Sequence, residues 1–260
     1  MIFHQLSNSK TNYNYNAVFY KDQFWDYHFH RNFELICVLK GSVICTINDV
    51  EYTLSEGEFG LCLPYDIHKY APNKNSEYWV MVFSEEFVRY FAQKINGKSG
   101  NGFVFKLDDN EKAYFTDKLI YCDSPTPMLM KSCLYLICEE YIKQIPLVDK
   151  RQSEVKIMPI LADYIKEHHA KNITLTDIAK KLGYDYNYMS RYFKKVFNMT
   201  FSDFVNIYRL ETAIKLLEET NKSITDIVYE SGFQSIRTFN SFFKNKMGMS
   251  PTQYKNTIRK

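Results

Sequence analysis

Residues 174–201 read TLTDIAKKLGYDYNYMSRYFKKVFNMTF, and residues 223–251 read SITDIVYESGFQSIRTFNSFFKNKMGMSP. The second stretch repeats the first. Thr176/Thr225, Asp177/Asp226, Ile178/Ile227 and Gly183/Gly232 are offset by 49 residues; Phe193/Phe243, Lys194/Lys244 and Met199/Met249 are offset by 50. A unit written twice at this period is one supersecondary element used twice. Each copy opens on a hydroxyl residue with an acid three positions later, Thr174 with Asp177 and Ser223 with Asp226. The hydroxyl accepts a free backbone N–H, and the carboxylate reaches back from the positive end of the helix dipole. The helix so begun stops at Gly183 or Gly232, where a left-handed cap costs glycine little. An aromatic residue, Tyr184 or Phe233, packs the turn before a second helix starts. This is a helix-turn-helix, and it is present in tandem.

The second helix of each copy divides by period. Met189, Tyr192, Phe193 and Val196 form one apolar stripe, with Tyr186, Asn187, Ser190, Arg191 and Lys194 opposite. In the other copy Phe239, Phe242, Phe243 and Met247 form the stripe, with Ile236, Arg237, Asn240, Ser241 and Lys244 opposite. Such outer faces suit a helix laid in the major groove, where arginine grips guanine, asparagine grips adenine and lysine serves phosphates. Asn187, Ser190 and Arg191 are expected to read bases in one groove, and Arg237 and Asn240, with Ile236 and Ser241, in the next. Lys194, Lys195 and Lys244 are expected on phosphates. A polar stripe on one helix is as often a solvated face, but the same cap, glycine and stripe written twice favour double-stranded DNA. Leu210, Ala213, Ile214 and Leu217 mark a helix from about 201 to 219 between the copies. It would space the two readers for successive grooves roughly 34 Å apart. Ile157, Ile160, Leu161, Tyr164 and Ile165 mark a further helix ahead of the first copy.

Three stretches, RLETAIKLL from Arg209, GFQSIRTFNSFFK from Gly232 and GMSPTQY from Gly248, carry a resemblance. Residues 157–258 resemble the DNA-binding domain of AraC/XylS bacterial transcription regulators. The resemblance implies a regulator that binds promoter DNA, works with RNA polymerase and usually activates. Ser241 stands where many relatives carry a long basic side chain, so base reading by the second motif leans on Arg237 and Asn240.

Charge follows this division. The chain has a net charge of +3; residues 157–260 carry 16 Lys/Arg against 10 Asp/Glu, and the remainder is net negative. The basic half is the half with the repeats, as phosphate neutralisation requires. No basic-then-apolar leader and no bilayer-length apolar run is written, so a cytoplasmic protein without a membrane partner is expected. The six cysteines, Cys37, Cys45, Cys62, Cys122, Cys133 and Cys138, lack metal-type pairing and read as small hydrophobes.

Residues from about 13 to 84 read as short strands. The stretches 42–47 and 50–54 make a hairpin about Asn48-Asp49, and Ser55-Glu56-Gly57 is another turn. His28-x-His30-x3-Glu34-x6-Gly41 has the spacing of the first cupin motif, and Gly57…Pro64…His68 resembles a loosened second one. The even spacing of His28, His30 and Glu34 puts them on one face of a strand, with His68 joining from a neighbour. Three imidazoles and a carboxylate suit iron, manganese, nickel or zinc. The other reading is polar ligand contact or barrel packing, as in the cupin-like sensor domains of AraC/XylS regulators; on it no cofactor is expected. Trp25 and Tyr65, among other aromatics, suit the walls of a small-molecule pocket, with a sugar as one option.

From Asp108 to about Gln144 the pattern is helical, with Leu129, Cys133, Leu136, Ile137 and Tyr141 near one face. This helix packs on its own barrel or pairs with a second copy as a homodimer. The expected fold is α+β: a cupin-like β-barrel over 1–107, helices over 108–144, a linker over 145–156 and an all-α tandem helix-turn-helix over 157–260. The expected function is an effector-modulated transcription regulator rather than an enzyme. Its rivals are a metal-dependent cupin enzyme fused to a DNA-binding domain and a ligand-independent regulator with a scaffold barrel.

Overall fold

The computed structural model describes residues 3–4, 15–150, 152–197 and 199–258; positions 13 and 14, where the strand pattern begins, lie outside them. The chain divides into two compact units that meet between Lys156 and Ile157.

The first unit holds two five-stranded sheets. One runs β1 (Phe3–His4), β3 (Trp25–Phe29), β8 (His68–Pro72), β5 (Ser42–Ile47), β6 (Val50–Ser55). The other runs β11 (Val104–Phe105), β7 (Phe59–Cys62), β4 (Phe33–Lys40), β9 (Glu77–Phe83), β2 (Tyr15–Lys21). Among the described residues no strand belongs to both, so the expected barrel takes the form of two sheets without a closed ring of hydrogen bonds. The β5–β6 hairpin turns through Asn48 (φ 47°) and Asp49 (φ 68°), two positive φ values in sequence as a type I′ turn demands.

Strands β4 and β9 are buried on both faces, and their alternation sorts the core into two layers. Phe33, Leu35, Cys37, Trp79, Met81 and Phe83 pack with the helices that follow the sheets. Ile36, Val38, Val80 and Val82 face the other sheet, meeting Val43, Cys45 and Tyr70. Glu34 lies an even number of residues from Ile36 and Val38, so period-two alternation aims it between the sheets.

The helices are α1 (Arg89–Lys94), α2 (Asp109–Phe115) and α3 (Pro127–Gln144). Thr126 caps α3 and Pro127 occupies its first turn, where the missing N–H costs nothing. Met130, Cys133, Leu134, Ile137, Cys138 and Tyr141 bury the apolar face of α3 in the unit's own core. Leu129 and Leu136 sit half-buried at its margins. Residues 145–156 are more ordered than a linker: β12 (Leu147–Asp149) pairs antiparallel with β10 (Lys98–Gly100). Helix α4 (Gln152–His168) then begins before residue 157.

The second unit continues with α5 (Leu175–Leu182), α6 (Tyr186–Phe197), α7 (Phe201–Glu219), α8 (Ile224–Glu230), α9 (Ile236–Met247) and α10 (Pro251–Thr257). Among the described side chains of α4, Ile157, Met158, Leu161, Ala162 and Ile165 are buried, while Ile160 is exposed, contrary to the stripe read from sequence. Pro159 sits inside this helix. The second motif's core gathers Leu210, Ala213 and Leu217 of α7 with Ile227, Val228, Phe233, Phe239 and Phe243. Each large apolar side chain buried there contributes about 1.5–3 kcal/mol. Among the described residues no helix is long and apolar enough to cross a membrane.

Candidate functional site

Local chemistry sets each helix-turn-helix. Thr174 closes a full capping box on α5: Asp177 N–H donates to Thr174 Oγ1 at 3.3 Å, and Thr174 N–H donates to Asp177 Oδ2 at 2.8 Å. These hydrogen bonds hold the Asp177 carboxyl below its ordinary value. In the second copy Asp226 N–H donates to Ser223 Oγ at 3.1 Å, and the serine hydroxyl donates to Asp226 Oδ2 at 2.6 Å. Helices α6 and α9 carry matching caps that the sequence reading missed. Tyr188 N–H donates to Asp185 Oδ1, and Thr238 N–H donates to Ser235 Oγ. The signal was available, since Asp185 and Ser235 keep the 50-residue offset.

On α6, Met189, Phe193 and Phe197 are buried, whereas Tyr186, Asn187, Arg191, Lys194 and Lys195 are exposed and Ser190 is half-buried. On α9, Phe239 and Phe243 are buried, and Ile236, Arg237, Asn240, Ser241 and Lys244 are all exposed. The two outer faces are therefore open apart from half-buried Ser190.

The two glycines differ. Both have positive φ, 74° at Gly183 and 94° at Gly232. A Cβ on Gly183 would meet nothing within 4 Å, but one on Gly232 would lie 2.5 Å from Ala170 Cα and 2.7 Å from the His169 carbonyl oxygen. The same segment is held by Arg209 of α7, whose Nε donates to the His169 carbonyl at 2.8 Å and whose Nη2 donates to the Lys171 carbonyl at 3.0 Å. Its Nη1 donates to Asn206 Oδ1 at 3.1 Å. Residues 169–171 thus bind the central helix and abut the second motif's turn. Nothing local in the sequence signals this junction.

In the first unit a polar cluster lies between the sheets. His28 and His68 face each other across the β3–β8 pair, ring centroids 4.1 Å apart. Glu34 comes from β4, in the other sheet. His30 Nε2 lies 2.8 Å from Glu34 Oε2, and His68 Nε2 lies 3.6 Å from Glu34 Oε1. All four are buried. The sequence argument for their convergence fails in its premise: His30 falls in the turn between β3 and β4, so no single strand carries His28, His30 and Glu34. They meet because the chain changes sheet at that turn. The Tyr65 backbone N–H fastens the turn by donating to the His30 carbonyl at 2.9 Å, while the Tyr65 side chain is half-buried.

Burial, and then the charge of His68, pushes His28 down to about 3, so it is neutral. Burial by itself would raise the Glu34 carboxyl, but the charge of His68 and the hydrogen bond from His30 outweigh it and keep it ionised. His68 is favoured as imidazolium against the cost of burial by Cys62 and Glu34. Burial also pushes the Cys62 thiol up, so near neutral pH it is uncharged and Glu34 is the effective partner. Trp25, His28, Glu34 and Tyr70 border a cleft of about 30 Å³ together with Asn16, Val18, Tyr20, Val80 and Val82. Tyr70 was among the aromatics read from sequence as pocket walls, whereas Tyr20 and Asn16 were not; an aromatic on a strand carries no sign of which layer it lines.

The sequence matches the AraC-like ligand binding domain over residues 15–124 and a helix-turn-helix domain over residues 178–257. The regulatory protein SoxS of Escherichia coli is 31% identical over 106 residues, covering 41% of this chain and 99% of SoxS. The chain belongs to the AraC family of transcription regulators. The HTH-type transcriptional regulator YdeC of Bacillus subtilis is 25% identical over 252 residues, covering 88% of this chain and 85% of that one. ToxT from Vibrio cholerae shares the two-domain fold, with a TM-score of 0.62 at 16% identity over 94% of this chain and 98% of ToxT. Another ToxT structure holds an unsaturated fatty acid. As an AraC-family regulator the chain is a DNA-binding protein with an N-terminal ligand-binding domain.

Proposed function

We propose that this AraC-family protein binds promoter DNA with α6 and α9 in successive major grooves, and that a small molecule in the first unit modulates that binding. Asn187, Ser190 and Arg191 read bases from α6; Arg237 and Asn240, flanked by Ile236 and Ser241, read them from α9. Lys194, Lys195 and Lys244 neutralise phosphates, and Tyr186 lies at the groove edge of α6. The protein acts in the cytoplasm as a homodimer that recruits RNA polymerase, and it is a regulator rather than an enzyme.

One observation carries the reading: both helices bury their Met/Phe faces and leave the Asn, Arg and Lys faces solvent-exposed. An apolar partner-binding helix would leave the opposite face open. The effector reading is supported by the cleft, whose valines and aromatics alternate with Asn16, His28 and Glu34. That lining suits a molecule with one apolar face and hydroxyl or amine groups, a sugar among them. At about 30 Å³ the cleft must widen to admit it, so binding moves Trp25 and is visible in tryptophan fluorescence.

The test is selection of bound sequences from a random duplex pool. Two recurrent short motifs, centred about one helical turn (~10 base pairs) apart, are expected. A single motif, or equal affinity for selected and random duplexes, refutes the two-groove reading.

A further inference from the structure

Helices α6 and α9 each leave one large hydrophobic side chain exposed among the described residues, and in both it is the first residue of the helix. Tyr186 of α6 is 53% exposed and Ile236 of α9 is 37% exposed. The other large hydrophobic residues of the two helices are buried or half-buried. The two positions are equivalent in the repeat, 50 residues apart like Phe193 and Phe243. A lone exposed hydrophobic residue is ordinary on a protein surface. The same exposure at the same place in both motifs, on the face that carries the arginines and asparagines, ties it to what the motifs bind.

Local structure fixes where these side chains point. Asp185 and Ser235 cap the helices by accepting from the backbone N–H groups of Tyr188 and Thr238, at 2.9 Å and 3.1 Å, so Tyr186 and Ile236 open a set first turn. Cα–Cβ bonds tilt toward the N-terminus of a helix, so a side chain at this position reaches past the helix end. In a helix-turn-helix that end of the second helix meets the base edges. Ser190 and Asn240 follow four residues on, along the same face. That turn of helix advances roughly 6 Å, about two base-pair steps.

The major groove offers a side chain without donors or acceptors one sequence-specific feature, the 5-methyl group of thymine. Ile236 carries no polar side-chain atom, so it has no other way to tell bases apart, and Tyr186 presents a ring at the equivalent place. We propose that Tyr186 and Ile236 are specificity-determining residues, each packing on the 5-methyl group of a thymine in its own major groove. Each thymine lies within about two base pairs of the bases read by Asn187 or Arg237. The inference rests on the two-groove reading and adds a contact that hydrogen bonds do not supply. Around the shared thymine the half-sites differ, because the repeat sets Arg237 in the place of Asn187 and Ser241 in the place of Arg191.

The experiment uses the full chain and a duplex carrying the sequence selected from the random pool. Each thymine is replaced in turn by deoxyuridine, which removes the methyl group and keeps every hydrogen-bonding atom. One replacement in each motif should weaken binding roughly fourfold, the worth of one buried methyl group. Ile236→Ala should abolish that effect in one motif and keep it in the other; Tyr186→Ala should do the converse, and Tyr186→Phe should keep both. Both side chains are exposed, so melting temperatures should stay within a few degrees of wild type. Arg237→Ala separates the two layers of the argument, since it should reduce the preference for selected over random duplex whatever deoxyuridine does. If that preference depends on Arg237 while wild type is indifferent to every deoxyuridine, the methyl contact falls and the two-groove reading stands. Deoxyuridine effects that survive in both alanine variants, or selected motifs without a thymine at that distance, likewise overturn the proposal. A protein that prefers no sequence overturns both readings.

Discussion

Replacing Gly232 by alanine tests the junction that sets the second motif against the rest of its unit. The φ of 94° is a left-handed value that costs an alanine about 1–2 kcal/mol. The added Cβ also falls 2.5 Å from Ala170 Cα and 3.0 Å from Ala170 C, both backbone atoms. Neither can swing aside as a side chain would, and overpacking of this kind costs about 1–3 kcal/mol more. The sum is about 2–5 kcal/mol. Gly183→Ala is the internal control, because its φ of 74° carries the strain while its Cβ meets nothing. It should lose only about 1–2 kcal/mol. At about 4–8 °C per kcal/mol for a unit of this size, the variants should separate by at least several degrees. Both tryptophans, Trp25 and Trp79, lie in the first unit. Their fluorescence follows that unit, while ellipticity at helix wavelengths is weighted toward the second. Gly232→Ala should lower the ellipticity transition and leave the fluorescence transition in place. If the two glycine variants melt together, the close approach to Ala170 is not what the second turn requires.

Other substitutions separate reading, packing and protonation. Arg191→Ala should cost about 1–3 kcal/mol on selected DNA and little on random duplex, whereas Lys195→Ala should weaken both and reduce the salt slope by about one; equal losses for Arg191→Ala on the two duplexes refute its base-reading role. Ile137→Ala removes a fully buried side chain from α3 and should cost about 2–5 kcal/mol at every protein concentration. A concentration-dependent loss of melting temperature would instead place that face in a dimer seam. His169 is held below its ordinary value of 6.5, first by burial and also by Arg209, against hydrogen bonds to the Lys166 and Ile165 carbonyls. The unfolded chain therefore takes up a proton before the folded one does. The stability contributed by neutral His169 is complete above pH 6.5 and lost as pH falls through and below it. Urea midpoints between pH 7.5 and 5.5 (both roughly one unit from that value) should fall more for wild type than for His169→Gln, and parallel falls would refute the assignment.

What the sequence determined by itself is the chemistry that acts within a turn or two of chain. Thr174 with Asp177, Ser223 with Asp226 and the two glycines place helix ends, because a cap satisfies backbone groups three residues away. Period 3.6 chose the outer faces of α6 and α9, and period two with Asn48-Asp49 chose the β5–β6 hairpin. Tertiary structure decided everything that depends on which elements meet. Helix α3 spends its apolar face on its own sheet, Ile160 turns outward, and residues 147–149 add a strand where a linker was read. The histidines and Glu34 converge because β3 and β4 belong to different sheets, an arrangement that counting residues along one strand does not contain. Arg209 and Gly232 meet the segment 169–171 across about forty and sixty residues of chain. Contacts over such separations are chosen by the packing of whole surfaces, and no short stretch of sequence carries that choice.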